Sequence, residues 1–69
     1  MRIGANSKAA RLAAGLTQEQ LALEIQTSHS HIGRIERGLA APSMRTLIKL
    51  HRALHVPIEQ LVEGIGDEP

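Results

Sequence analysis

The sequence predicts an all-α domain of five short helical segments, on three observations. Chain breakers fall at Gly15, at Gly38 with Pro42, at Pro57, and at Gly64 with Gly66, and they leave five segments between them. No stretch alternates apolar and polar residues as a half-buried strand would, and none gathers β-branched residues. Most of the segments open on a capping residue and then place apolar residues at helical spacing.

The first segment is expected to begin near Asn6 or Ser7, run through the good helix formers of residues 8–14, and stop at Gly15 in a left-handed cap; Ala9, Leu12 and Ala13 form its candidate buried stripe. Thr17-Gln18-Glu19-Gln20 has the spacing of a capping box, and Leu21, Ala22 and Ile25 follow on one helical face. Ser28 is the candidate cap of a third helix over His29–Arg37, which Gly38 ends. Ser43 caps a fourth over Met44–Leu54, striped by Leu47, Leu50 and Leu54. Pro57 suits a helix start, and Ile58, Leu61 and Val62 give the last segment one apolar face.

Composition narrows the function classes. A chain of 69 residues holds one domain. With no Phe, Tyr, Trp or Cys it cannot stack a flavin or nucleotide on aromatic rings, ligate zinc or an iron–sulfur cluster through thiolates, or use thiol catalysis. His51 and His55 stand at i, i+4 but have no third ligand near them, so no metal and no cofactor is expected. The Ser and Thr residues read as caps and no carboxylate pair has a motif behind it, which argues against an enzyme. No apolar run reaches the roughly 18 residues of a membrane span and no signal peptide is evident, so a cytoplasmic protein without a membrane partner is expected.

Charge is distributed unevenly. Residues 1–52 hold all eight Lys and Arg against three acids, whereas residues 53–69 hold four acids and no base. The basic end is thus suited to phosphates and the acidic end to facing away from them.

The connection Gln26-Thr27-Ser28 is so short that the helices on either side must cross steeply, which projects one of them outward. Taking about 100° per residue from His29, the residues Gly33, Arg37, Ser30 and Arg34 fall within an arc of roughly 140°, and Ile32 and Ile35 lie on the other side. One face of this helix is apolar; the other offers donors, a hydroxyl and a bare glycine, which suits an acceptor-rich surface such as the major groove of DNA.

These residues resemble the Cro/repressor-type (XRE-like) helix-turn-helix family. The resemblance is carried by Gly15-Leu16-Thr17-Gln18-x-x-Leu21-Ala22, Ile32-x-x-Ile35-Glu36-x-Gly38, Pro42-Ser43 and Ala53-Leu54-x-Val56, and spans about residues 8–64. It implies a compact five-helix repressor-like fold, with the third helix as the recognition helix and the second lying across the DNA backbone. Outside this span, 1–6 is expected to be a short N-terminal arm and 65–69 an acidic tail.

By the same resemblance His29, Ser30 and Arg34 are base-reading positions. Arg34 has the most to offer, since a guanidinium can grip the O6 and N7 of guanine together. Gln18, at the start of the second helix, matches a phosphate-binding position. Thr17, Arg37 and Arg45 match backbone contacts, with Gly33 allowing close approach. Arg11 and Glu36 match a pair bridging the first helix to the end of the third, which is expected to hold Arg11 towards a phosphate; Lys49 and Arg52 read as surface charge. Three positions depart from the pattern: Gln26 and His55 stand where glycine is usual and φ > 0 is favoured, and Leu23 stands where a polar residue is usual.

These residues point to a sequence-specific transcriptional regulator of double-stranded DNA, a repressor binding a two-fold-related operator as a homodimer. Ile58, Val62 and Ile65 are the candidate dimer contacts, and a regulatory partner protein fits a chain with no separate ligand domain. The alternative is a protein-interaction module, such as an antitoxin-like partner protein, built on the same scaffold.

Overall fold

The computed structural model describes residues 2–63, which form α1 (Arg2–Ala13), α2 (Gln18–Glu24), α3 (His29–Glu36), α4 (Met44–Leu54) and the single turn α5 (Ile58–Leu61). No strand occurs among the described residues. The caps expected from sequence are in place. The Thr17 side chain accepts from the Gln20 amide while the Gln20 side chain accepts from the Thr17 amide, closing the capping box. Ser28 and Ser43 each cap the helix that follows, accepting from the amides of His31 and Thr46.

An aliphatic core of Ala10, Leu21, Ala22, Ile25, Ile32, Leu47, Leu50, Leu54 and Leu61 joins all five helices, with Leu16, Ala53, Val56, Ile58 and Val62 packed against its edge. Since the core contains no aromatic ring, the volume between the helices is filled by branched aliphatic chains. Lys49, half-buried on α4, donates from Nζ to the Ile25 carbonyl at 3.3 Å, satisfying an acceptor at the C-terminus of α2. That is a structural use for a lysine expected only as surface charge.

The first helix departs from expectation. It begins at Arg2, so residues 2–6 are helical turns and not an arm, and residues 65–69 lie outside the described part. Its buried face is Gly4, Ser7, Ala10 and Arg11, and Ala9, Leu12 and Ala13 are exposed. The reason is close packing. A Cβ at Gly4 would collide with the Ile35 carbonyl oxygen and stand 3.0 Å from that of Glu36, so α1 meets the backbone of α3 through its smallest residue. Asn6, expected near the start of the helix, sits inside α1 and donates from Nδ2 to the carbonyls of Leu61 and Glu63, both at 2.9 Å. It closes the C-terminal end of α5.

Both non-glycine residues expected at φ > 0 adopt it, Gln26 at 60° and His55 at 56°. Beyond His55, the Val56 carbonyl accepts from Nδ1 of His51, drawing the chain back onto α4 before Pro57.

Two substitutions test these backbone constraints. Gln26→Gly is expected to raise stability by up to about 1–2 kcal/mol, less the entropy glycine loses on folding. Gly4→Ala should lower it by about 1–3 kcal/mol despite alanine's better helix propensity, because α1 has to move off α3. Urea titrations followed by circular dichroism measure both.

Candidate nucleic-acid interface

Glu36 ends α3 with its side chain turned inward, and a carboxylate in that position needs donors. Arg11 supplies two of them: Nε to Oε2 at 2.6 Å and Nη2 to Oε1 at 3.0 Å. The two side chains are only 8% and 3% exposed. The remaining Arg11 nitrogen, Nη1, donates to the Leu16 carbonyl at 2.8 Å in the turn before α2. From the start of α2, Gln18 Nε2 donates to Glu36 Oε1 at 2.9 Å. Burial pushes the Glu36 carboxyl upward, but the hydrogen bonds from Arg11 and Gln18 and the charges of Arg11 and Lys8 outweigh it and hold the group below the ordinary glutamate value.

The expected role of Arg11 is therefore corrected. Its guanidinium is buried and turned to Glu36 and Leu16, so it braces α1 against α3 and does not reach towards a phosphate. An exposed pair of this kind contributes little, whereas removing one partner of a buried pair costs about 3–5 kcal/mol.

The network continues to the outer surface. Gln18 Oε1 lies 2.9 Å from Nε2 of His29, the first residue of α3. Gln18, His29, Ser30, Gly33, Arg34 and Arg37 together line a shallow, open groove of about 350 Å³ between the start of α2 and the outer face of α3. His29, Ser30, Arg34 and Arg37 are exposed. Arg34 is exposed, and its Nη2 makes a long contact of 3.4 Å to the Leu39 carbonyl, too weak to tie the head down.

Gly33, expected to open this face, is instead buried beneath its neighbours. A Cβ there would stand 3.3 Å from Arg37 Nη1, so the missing side chain provides the seat on which the Arg37 guanidinium lies. Thr17 adjoins the groove through the cap of α2, and Arg45 falls outside it, exposed on α4 beside Arg52 and the half-buried Ile48 and Lys49.

The structure thus brings His29, Ser30, Arg34, Arg37 and Gln18 together and leaves Arg45 apart. Sequence reasoning missed the link from Gln18 to both Glu36 and His29. The available signal was positional: Gln18 and His29 each open a helix on either side of one short turn.

The helix-turn-helix family model matches residues 8–61. The chain belongs to the helix-turn-helix family. Its pattern is the Cro/repressor-type, XRE-like one, and this is a family of DNA-binding transcription regulators, not of enzymes. It is 33% identical over 67 residues to the HTH-type transcriptional regulator y4dJ of Sinorhizobium fredii, itself uncharacterised, covering 97% of this chain and 87% of that protein.

Two solved structures share the fold. The restriction-modification controller protein C.AhdI of Aeromonas hydrophila superposes with a TM-score of 0.82 at 33% identity, covering 87% of this chain and 91% of that one. A chain of the SinR protein/SinI protein complex gives a TM-score of 0.84 at 29% identity, covering 94% of this chain and 64% of that one. Among the described residues, no helix is long and apolar enough to cross a membrane.

The buried pair makes a prediction for acid and for mutation. Glu36 holds its proton less readily in the folded chain than in the unfolded one. Its contribution is therefore complete above the ordinary value of about 4.3 and is lost as pH falls through the lowered folded value. Urea midpoints measured from neutral pH downward should fall in that window, with a shallower fall for Glu36→Gln. Arg11→Met should lose about 3–5 kcal/mol, and adding Glu36→Leu should restore part of it by removing the stranded charge. A double variant no more stable than the single one would show that the charge was not the source of the loss.

Proposed function

We propose that this regulator represses transcription by occupying a two-fold-related operator as a homodimer, with α3 in the major groove and α2 across the backbone. The observation that carries the reading is the outer face of α3. There the exposed side chains of His29, Ser30, Arg34 and Arg37 surround a glycine seat, with no apolar side chain among them. A face made of donors and hydroxyls matches acceptor-rich DNA and not an apolar protein partner.

In this reading Ser30, His29 and Arg34 contact base edges, and Thr17, Gln18, Arg37 and Arg45 contact phosphates. Gln18 spends one amide hydrogen on Glu36 and has a second for a phosphate. Gly33 acts beneath Arg37 by letting that guanidinium lie close to the helix. The site of action is the cytoplasm, and the whole chain acts as one domain.

The dimer contact is assigned to the C-terminal part of the fold. Leu61 is fully buried in the core, whereas Ile58 and Val62 are half-buried at its edge and retain apolar surface to share. Ile65, the third candidate, lies outside the described residues. A two-fold axis there sets the recognition helices about 34 Å apart, on successive turns of the major groove.

A protein partner is the second reading, favoured by the similarity to a chain of the SinR protein/SinI protein complex. The isolated leucine at position 23 is 77% exposed on α2 and is available to such a partner.

Fluorescence anisotropy on a duplex selected from a random pool tests the DNA reading. Affinity should fall steeply with salt, as expected where arginines displace counterions. Arg34→Ala should cost about 1–3 kcal/mol on the selected duplex and little on random DNA, whereas Arg45→Ala should weaken both alike. Equal losses for Arg34→Ala on both duplexes would make it a backbone contact.

Sedimentation tests the assembly. Ile65→Glu should keep its helical circular dichroism, sediment as a monomer and bind the operator more weakly, since two half-site contacts no longer act as one linked event. A variant that still sediments as a dimer would move the interface elsewhere.

A further inference from the structure

Gln18 stands between two partners of different chemistry, and together they determine how it is turned. The ionised Glu36 carboxylate can only accept, so the amide must offer it Nε2, the atom that lies 2.9 Å from Oε1. The amide oxygen is then fixed on the opposite side, 2.9 Å from His29 Nε2. An amide oxygen also only accepts, so Nε2 of His29 must carry the hydrogen. A neutral imidazole has one N–H, and with that hydrogen on Nε2 the other nitrogen, Nδ1, is left with its lone pair. The two ring nitrogens diverge, so a ring whose Nε2 faces α2 turns Nδ1 away from α2. His29 is exposed and is the first residue of the recognition helix.

We propose that His29 reads a hydrogen-bond donor in the major groove, the exocyclic amino group of adenine or cytosine, by accepting it at Nδ1, and that Gln18 sets this preference by holding the ring in its Nε2–H form. The proposal rests on the DNA-binding reading and deepens it. Guanine N7 and O6 and thymine O4 are acceptors, and each would meet Nδ1 lone pair to lone pair. Gln18 is a positioning residue here, and Glu36 orients it without touching DNA. Through Gln18 the buried pair thereby sets whether a donor or an acceptor is read at one position. The one N–H of the neutral His29 ring is already spent on Gln18, which leaves the ring only an acceptor to offer a base.

The test uses the full chain in one buffer at about pH 8. On the duplex selected from the random pool, adenines are replaced one at a time by purine and cytosines by pyrimidin-2-one, which removes the amino donors. A separate set of 7-deazapurines removes the N7 acceptors. One amino deletion should weaken wild-type binding about three- to tenfold, the net worth of one hydrogen bond, and should have no further effect in His29→Ala. Gln18→Met should lose the ratio between the intact and amino-deleted duplexes at that position, whatever its overall affinity.

Two-bond ¹⁵N–¹H spectra of the free protein give a reading that a purely structural role would not move. The wild-type ring should be pyrrole-like at Nε2 and pyridine-like at Nδ1, and Gln18→Met should show a mixture of the two forms. The proposal is overturned if His29 couples to a 7-deaza position, if it couples to no amino group, or if the wild-type ring carries its proton on Nδ1. A pool that enriches no duplex overturns the DNA-binding reading itself, and this proposal with it.

Discussion

A carboxylate withdrawn from water has to be surrounded by donors, and Glu36 draws its donors from two other helices. Arg11 of α1 gives two and Gln18 of α2 gives one. Because each hydrogen bond is charge-assisted and directional, the three helices are held at one mutual setting. An apolar contact of the same size would tolerate sliding. The third arm of Arg11, on the Leu16 carbonyl, extends that setting into the turn before α2. Among the described residues, no buried side-chain nitrogen or oxygen is left without a partner, so the network adds order without stranding a polar group.

The outer groove takes its shape from this inner constraint. Gln18 is both the last donor to Glu36 and the first group to meet His29, so one amide joins the fold to the interface. Arg37 lies over Gly33 for a related reason, since the missing Cβ lets a long cation rest against the helix and not stand off it. The exposed positions of the groove are therefore arranged by residues that are themselves sheltered, an organisation that favours a preformed surface.

Much of this was legible in the sequence. The caps at Thr17, Ser28 and Ser43 and the stripe of α4 follow from local rules, because each is decided within a few residues of chain, whereas the left-handed residues Gln26 and His55 were expected from the family pattern, which usually has glycine there. The face of α1 was not legible. An apolar-stripe rule assumes that a helix buries its greasiest arc, and α1 buries Gly4, Ser7, Ala10 and Arg11 because close approach to α3 and a charge partner outweigh area. In the same way the residues of the groove could be named, but not the hydrogen bonds among them. Gln18, His29 and Glu36 are separated by up to 18 residues, and which amide atom meets which partner is decided only when α2 and α3 cross.

Asn6 gives the fold a further property, one of timing. Its partner carbonyls at Leu61 and Glu63 lie 55 and 57 positions further along the chain, so α1 lacks this anchor until α5 has been made. During the interval α1 has little apolar surface of its own, and the small residues that let it fit so closely later give it little to aggregate with. Contacts of such long span delay completion and make the last step concerted, because the first and last elements lock together. A chain cut short before α5 would keep α3 but lose the tie that Asn6 makes to the other end of the fold, and α1 would be set against its neighbours less firmly.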